Sequence, residues 1–198
     1  MYPFSGKTVL GITGGVACGK STVCQKFAYL GWEVISTDSC THKLLQFDKV
    51  IIEKIRERWG YKVFDNNGNI DRRNLSDIVF SSVAERSWLE SILHPKIREN
   101  WTNLILKSSS SLFVVEIPLL FENNLNDHFT KTICVHASSS TQNNRLKQRG
   151  LSEEEIKLRH ESQLPLSLKS NLADFVISCD GEVHFLDLQI NKLLSQIS

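Results

Sequence analysis

The sequence predicts a three-layer α/β/α fold with a parallel five-stranded sheet, an inserted helical domain and a short lid. Two observations support this fold class. Short apolar, β-branched runs alternate with helical periodicity over most of the chain, and the first run ends in a glycine-rich turn that opens a helix. In such folds, ligands bind outside the carboxyl ends of the strands. We therefore expect the functional residues in the loops that follow the strands.

Five runs are typical of buried strands: Thr8–Thr13, Glu33–Ser36, Leu112–Val115, Lys131–Val135 and Phe175–Ile177. Helical spacing predicts helices over Lys20–Leu30, Thr141–Gln148 and Val183–Leu194, and Gly31 is placed to end the first of them. A capping box from Ser152 to Glu155 opens a further helix. Between His42 and Lys107 helical spacing dominates, His94-Pro95 divides two predicted helices, and Asn66-Asn67-Gly68 predicts a turn.

This organisation predicts two structural parts. We expect a nucleotide-binding core formed by residues 1–41 and 108–198, with the lid at about 141–157. Residues 42–107 form the helical insertion.

Length and composition exclude several classes of protein. With 198 residues, 41% hydrophobic and 23% charged, the chain suits one domain with an insertion, and it is neither disordered nor fibrous. A net charge of +1 provides no strong field for nucleic acid or an anionic membrane. No apolar run approaches the about 20 residues that span a bilayer. The five cysteines have no zinc-binding or paired spacing, which indicates reduced thiols in a cytoplasmic protein.

The glycine-rich turn fits the phosphate-binding pattern G-x-x-x-x-G-K-[ST] in full, as Gly14-Gly15-Val16-Ala17-Cys18-Gly19-Lys20-Ser21. Glycines let backbone N–H groups surround phosphate oxygens, and the helix N-terminus adds positive potential. We expect Lys20 to reach the β- and γ-phosphates, Ser21 to bind Mg²⁺, and Thr22 to contact the α-phosphate. Cys18 is either an oxidation-sensitive thiol or a small filler.

A P-loop alone is compatible with GTPases, motor ATPases and small-molecule kinases. The sequence has no N-K-x-D run for guanine, no D-x-x-G at the third strand, and no L-S-G-G-Q transporter signature. These absences leave a small-molecule kinase as the favoured class.

Two carboxylates follow predicted strands, and each has two interpretations. Asp38 comes after the second strand, where it is either a base that orients or deprotonates an acceptor hydroxyl or an N-cap of the next helix. Glu116 ends the third strand, where it either lies near the metal, through water, or is a simple strand-end carboxylate.

Arg145 and Arg149 are spaced i, i+4, so both guanidinium groups leave one face of a polar helix. They form either a phosphate clamp or a solvated face with surface ion pairs. Arg159 and Gln163, again spaced i, i+4, either extend the same surface or are solvated.

Together, these motifs resemble the dephospho-CoA kinase family over nearly the whole chain. The segments that carry the resemblance are Ile12–Thr22, Val34–Asp38, Asn67–Phe80, Leu93–Ile97, Pro118–Glu122, Gln163 and Ala173–Ile177. The P-L-L-F-E run that begins at Pro118 is the most specific of these segments. Three positions depart from the family pattern: Ser36 and Asn67 each replace an aspartate, and Cys179 replaces an asparagine.

The resemblance implies transfer of the γ-phosphoryl group of Mg-ATP to the ribose 3′-hydroxyl of dephospho-CoA, with Asp38, Lys20 and Arg145 as catalytic residues. It implies that the lid carries Arg145 and Arg149. The residues implied for the acceptor are Asp38, His42, Arg72, His94, Leu119, Leu120, Glu122 and Gln163. We expect ATP and dephospho-CoA as partners, Mg²⁺ as the metal, no nucleic acid or membrane, and a monomer or weak homo-oligomer.

Two other functions are compatible with parts of the pattern. A nucleoside monophosphate kinase shares the P-loop and the lid arginines but gives no reason for the P-L-L-F-E loop. An ATP-binding regulator without transferase activity would not need Lys20, Ser21, Asp38 and Arg145 together.

Overall fold

The structure, a computed structural model, describes residues 4–197, and its first compact unit contains a five-stranded sheet. The strands are β1 Thr8–Gly14, β2 Glu33–Ser36, β3 Leu112–Glu116, β4 Lys131–His136 and β5 Phe175–Ser178. Their order is β2-β3-β1-β4-β5, with β1 parallel to β3 and β4, and β4 parallel to β5. All the predicted strands are confirmed, and the carboxyl ends of the paired strands share one edge.

The helices of the same unit are α1 Lys20–Tyr29, and, later in the chain, α6 Ser139–Gln148, α7 Glu153–Glu161, α8 Leu166–Leu172 and α9 Val183–Ile197. Of these, α1, α8 and α9 pack on strands of the sheet. Buried Val23 and Phe27 of α1 and Leu186 and Ile190 of α9 join the apolar core of the sheet. Gly31, with φ +86°, follows the end of α1 as predicted. The capping box at the start of α7 is also confirmed.

The second compact unit, Ser36–Lys107, is helical. It comprises α2 Thr37–Phe47, α3 Lys49–Trp59, a 3₁₀ turn at Gly60–Val63, α4 Arg72–Ser81 and α5 Val83–Lys107. Its core consists of apolar side chains from all of these elements: Leu45, Ile51, Ile55, Val63, Leu75, Leu89 and Leu93. The predicted turn at Asn66-Asn67-Gly68 is present, since the Asp65 carboxylate accepts the N–H groups of Asn67 and Asn69.

The boundaries of the two units agree only in part with the expected ones. The chain enters the helical unit at Ser36, earlier than the expected residue 42, because α2 packs on α3 and α5 of that unit. It leaves the unit after Lys107, where the sequence pattern changes. Residues 1–3 and 198 of the expected core lie outside the described residues.

The prediction that Pro95 divides two helices is wrong. One helix, α5, runs through Pro95 from Val83 to Lys107. Proline removes one backbone hydrogen bond and costs about 3 kcal/mol in a helix interior. Leu93 before Pro95 and Trp101 after it are buried, so packing on both sides outweighs that cost.

Two expectations from composition concern the cysteines and the membrane. All five cysteines carry free thiols. None of the helices within residues 4–197 combines the length and the apolar character needed to cross a bilayer.

Asp174 attaches the start of β5 to β4. Its carboxylate accepts the Thr132 N–H and hydroxyl, each at 2.8 Å, and Lys131 Nζ lies at 3.0 Å. Partial burial opposes the charged form, but the hydrogen bonds from Thr132 and Lys131 outweigh it and lower the pKa of Asp174. Its stabilising effect is therefore present above the unfolded pKa of about 3.9 and is lost as the pH falls through the folded pKa.

We expect Asp174→Asn to lower the free energy of unfolding by about 1 kcal/mol at pH 7, because it weakens hydrogen bonds to a charged, partly exposed acceptor. Urea unfolding from pH 7 downward should show that the difference in unfolding free energy between the variant and the wild type becomes smaller below about pH 3.9. Asp187→Asn, which removes an exposed ion pair with Lys26 at 2.7 Å, is the control and should cost less at pH 7. A difference in unfolding free energy that stays constant with pH would contradict the role of the Asp174 charge.

Candidate active site

The turn predicted to bind phosphate joins β1 to α1. Gly14 and Gly19 have φ values of +144° and +102°, which L side chains rarely adopt. A Cβ on Gly14 would also overlap the carbonyl oxygen of Val135 in β4. The strand, turn and helix that the motif requires are therefore present, and its first glycine is needed for the approach of two strands.

Lys20 is the first residue of α1, and its ammonium group lies back over the turn. Lys20 Nζ donates to the carbonyl oxygens of Gly14 at 3.2 Å and Gly15 at 2.8 Å. Gly19, the N-cap residue, has no side chain to accept the first N–H groups of the helix. An ammonium group and a helix N-terminus at one turn favour an anion such as phosphate.

The side chains along the turn differ in exposure. Ser21 and Thr22 are exposed in the first turn of α1, and Val16 and Ala17 are partly exposed. Cys18 is buried, and burial raises the pKa of its thiol against the opposing charge of Lys20. These surroundings favour the interpretation of Cys18 as a small filler, since a reactive cysteine needs an accessible thiolate.

Arg145 reaches the phosphate-binding turn from α6. Its guanidinium group donates to the carbonyl oxygens of Ala17 and Cys179, each at 2.9 Å, and lies close to Gly19. The contact to Cys179 uses the backbone, so the departure from the family pattern at this position leaves it unchanged. The structure thus brings a second cation to the turn that carries Lys20.

Arg149, four residues later, has different surroundings. It is the C-cap residue of α6 and is exposed. Its part in a phosphate clamp remains a prediction, as does the mobility of the segment 141–157.

Asp180 positions the start of α6, a role that the sequence analysis missed. Its two carboxylate oxygens accept the Ser138 N–H at 2.8 and 2.9 Å, and the Ser138 hydroxyl caps α6 at Thr141 N. The hydrogen bond from Ser138 lowers the pKa of Asp180. Asp180 lies 42 residues from Ser138, so no local pattern in the sequence connects the two residues.

Glu116, the carboxylate expected near the metal, ends β3 and is partly exposed. Burial, and then the charge of Glu116, raise the pKa of Cys24 in α1 to about 12. Within residues 4–197, no three His, Cys, Asp or Glu side chains are grouped to hold a metal ion. Magnesium at a nucleotide site needs no such group, because phosphate oxygens and water supply most of its ligands.

Asp38 belongs to the helical unit, where it is exposed in the first turn of α2. The interpretation of Asp38 as an N-cap is wrong. Ser36 is the N-cap residue, and its hydroxyl accepts the Ser39 N–H at 3.5 Å. Serine and aspartate are both good N-caps, so the departure at Ser36 preserves the start of the helix.

Three further candidates lie in the same unit. The Arg72 guanidinium contacts His42 Nδ1 at 2.9 Å, and both side chains are exposed. His94 lies in the middle of α5 and is partly buried. The structure therefore brings His42 and Arg72, two of the residues implied for the acceptor, into contact with each other. Their contact with an acceptor remains a prediction.

The loop after β3 contains one prediction that the structure contradicts. Leu120 is 0% exposed, and its side chain, with that of Phe129, fills the space above Gly11. It belongs to the core and cannot contact a substrate in this structure. Leu119, before it, stays partly exposed and is a suitable contact residue.

The remaining acceptor candidates, Glu122 and Gln163, meet at a lysine that the sequence analysis missed. Lys169 Nζ lies 2.8 Å from Glu122 Oε1 and 3.2 Å from Gln163 Oε1. A single lysine in a short polar helix is ordinarily solvated, so no local signal marked Lys169 as buried. Direct contact of Glu122 or Gln163 with a substrate remains a prediction.

Comparison with known proteins identifies the family. The dephospho-CoA kinase family (CoaE) matches residues 8–184. A dephospho-CoA kinase of Bacillus thuringiensis is 36% identical over 192 residues, covering 95% of this chain and 96% of the relative.

Solved structures match over 97% of this chain. TT1252 from Thermus thermophilus superimposes with a TM-score of 0.83 at 28% identity, covering 97% of this chain and 98% of the other. Dephospho-CoA kinase from Campylobacter jejuni has a TM-score of 0.68 at 32% identity, covering 97% and 98%. With a phosphate-binding turn built as the motif requires, this chain belongs to the dephospho-CoA kinase family.

Proposed function

We propose that this protein transfers the γ-phosphoryl group of ATP to the ribose 3′-hydroxyl of dephospho-CoA, forming CoA and ADP. The observation that carries the proposal is the strand-turn-helix at Gly14–Lys20, with Lys20 and Arg145 on the turn. Family membership supplies the acceptor. The reaction is an in-line phosphoryl transfer, in which the protein mainly positions the groups and stabilises charge.

Lys20 and the backbone of the turn hold the triphosphate. The carbonyl oxygens that Lys20 contacts are neutral, whereas phosphate oxygens are charged and form stronger hydrogen bonds with an ammonium group. When ATP binds, we expect the Lys20 ammonium group to leave the carbonyl oxygens of Gly14 and Gly15 and to donate to the β- and γ-phosphates. Thr22, exposed next to Ser21, is available to the α-phosphate.

Arg145 stabilises the transferring group. Its two hydrogen bonds to Ala17 and Cys179 hold the guanidinium group beside the turn before the nucleotide arrives. Charge that spreads over the phosphoryl oxygens in the transition state then meets a cation already in position. In this proposal the segment 141–157 is a lid that excludes water, and Arg149 approaches the phosphates when the lid closes.

Ser21 and Glu116 would hold Mg²⁺, Ser21 directly through its hydroxyl and Glu116 through water. Bound there, the ion would neutralise charge on the β- and γ-phosphates. The exposed hydroxyl at the second residue of α1 and the carboxylate at the end of β3 fit this ligand set.

Asp38 accepts or orients the proton of the 3′-hydroxyl. Its exposed position at the start of a helix leaves the carboxylate accessible to a substrate. Arg72, with His42 beside it, supplies positive charge for the diphosphate of the acceptor, and His94 and Leu119 complete the acceptor contacts.

The choice of acceptor tests the function against the nucleoside monophosphate kinase alternative. We expect ADP formation from Mg-ATP with dephospho-CoA, and none above background with AMP, CMP, UMP or no acceptor. Lys20→Ala should lose at least about a hundredfold in turnover, about 3 kcal/mol of barrier, which shows that the ADP arises at this turn. Turnover only on a nucleoside monophosphate would contradict the proposal.

Asp38→Asn should lower kcat with dephospho-CoA at least about a hundredfold, because an amide cannot take the proton. The Km for ATP should change little, since Asp38 is assigned to the acceptor. Glu57→Gln, which removes another exposed carboxylate of the helical unit, is the matched control and should retain full activity. A fully active Asp38→Asn variant would remove the proposed base.

The two arginines of α6 should differ in effect. Arg145→Met should lower kcat at least about a hundredfold, because Arg145 already lies on the turn, whereas Arg149→Met should cost less than about tenfold. Steady-state kinetics with both substrates measure the difference. Equal losses would show that the exposed Arg149 takes part in the transition state as fully as Arg145.

A further inference from the structure

Lys169 has unusual surroundings for a lysine. Its side chain is 0% exposed, and three oxygens surround Nζ: Pro118 O at 2.7 Å, Glu122 Oε1 at 2.8 Å and Gln163 Oε1 at 3.2 Å. These acceptors match the three donors of an ammonium group. Two of them lie at opposite ends of the loop Pro118–Glu122, and the third precedes α8.

The Glu122 carboxylate, the partner of Lys169, has its hydrogen bond within the same network. Glu122 Oε1 also accepts the Leu164 N–H at 2.9 Å, while Oε2 is buried and has no hydrogen-bond partner among the described residues. The Glu122 side chain is 18% exposed, so little of it remains for a ligand. Lys169 is therefore the charge that compensates Glu122.

A gain in stability alone does not account for this pair. Moving two charges out of water is costly, and apolar side chains of similar volume often stabilise a fold as well or better. A buried ion pair can instead select one conformation of the backbone around it.

The backbone around this ion pair belongs to the loop after β3. Pro118 O accepts the Thr13 hydroxyl at 3.1 Å as well as Lys169, and Thr13 directly precedes Gly14 of the phosphate-binding turn. Leu120 anchors the middle of the loop in the core. Between these anchors, the Leu119 carbonyl accepts the Asn123 side-chain amide at 2.8 Å, and the Leu119 side chain keeps partial exposure.

We propose that the buried Lys169–Glu122 pair is a positioning element for the acceptor, which holds the loop Pro118–Glu122 so that Leu119 meets dephospho-CoA. In this proposal the pair acts through the loop and not by touching the substrate, which replaces the predicted direct contact of Glu122. This inference rests on the proposed function, which assigns Leu119 to the acceptor. Loss of the pair frees both ends of the loop and weakens acceptor binding more than ATP binding.

Two double variants separate positioning from stability. Lys169→Met/Glu122→Leu replaces the buried pair by apolar side chains of similar volume, so that no buried charge is left alone. Lys26→Met/Asp187→Leu makes the same replacement at an exposed ion pair of the same unit. The melting temperature of each variant and its Km values for ATP and dephospho-CoA are measured beside the wild type.

We expect Lys169→Met/Glu122→Leu to keep a melting temperature near that of the wild type. Its Km for dephospho-CoA should rise at least about tenfold, with the Km for ATP within about twofold. The control pair should change neither Km. An unchanged acceptor Km, or equal rises in both Km values, would overturn the proposal. A wild type that does not phosphorylate dephospho-CoA would instead overturn the proposed function.

Lys169→Arg keeps the proposal testable if the double variant does not fold. This variant retains the charge, but a planar guanidinium group cannot reach three acceptors arranged around one ammonium nitrogen. We expect a selective rise of at least about threefold in the Km for dephospho-CoA. If the ratio of the Km for dephospho-CoA to the Km for ATP in this variant equals that of the wild type, the proposal is also overturned.

Discussion

The close approach of β1 to β4 at Gly14 is the constraint on which the rest of the site depends. The Val135 carbonyl oxygen occupies the space that a Cβ on Gly14 would need, so only glycine lets the chain leave the sheet at this point. The exit direction sets the turn, and the turn places the start of α1 and its first residue, Lys20. The geometry for phosphate binding is thus produced by backbone packing, before any charged side chain contributes.

Contacts between distant segments then bring further groups to this turn. Asp180 holds the start of α6 through Ser138, and Arg145 crosses from α6 to Ala17. The first contact joins the loops that follow β4 and β5, and the second joins the helix after β4 to the turn after β1. This arrangement explains why an arginine from late in the chain lies on a turn near its beginning: parallel strands direct all their following loops to one edge of the sheet.

Among the described residues of the core unit, few polar side chains are buried. Lys169 and Glu122 form the buried ion pair, and Thr13 shares the Pro118 carbonyl oxygen with the lysine. Such a network strongly stabilises one conformation of its backbone, because a small displacement leaves a buried charge without its partner. The loop after β3 is consequently held by charge at its ends and by the apolar Leu120 in its middle.

What the sequence by itself determined about this protein is local. Apolar β-branched runs, the glycine motif at Gly14–Ser21, the capping box at Ser152 and the glycine after α1 depend on neighbouring residues, and all of them are present in the structure. Only the tertiary structure decided that α5 continues through Pro95, that Leu120 belongs to the core, that Ser36 rather than Asp38 caps α2, and that Lys169 is buried. Three of these outcomes depend on packing or pairing between distant segments, and Ser36 became the cap because the helix starts directly after β2. Burial of a charge can be judged only when its distant partner is known, as for Lys169 and Glu122, which lie on separate elements.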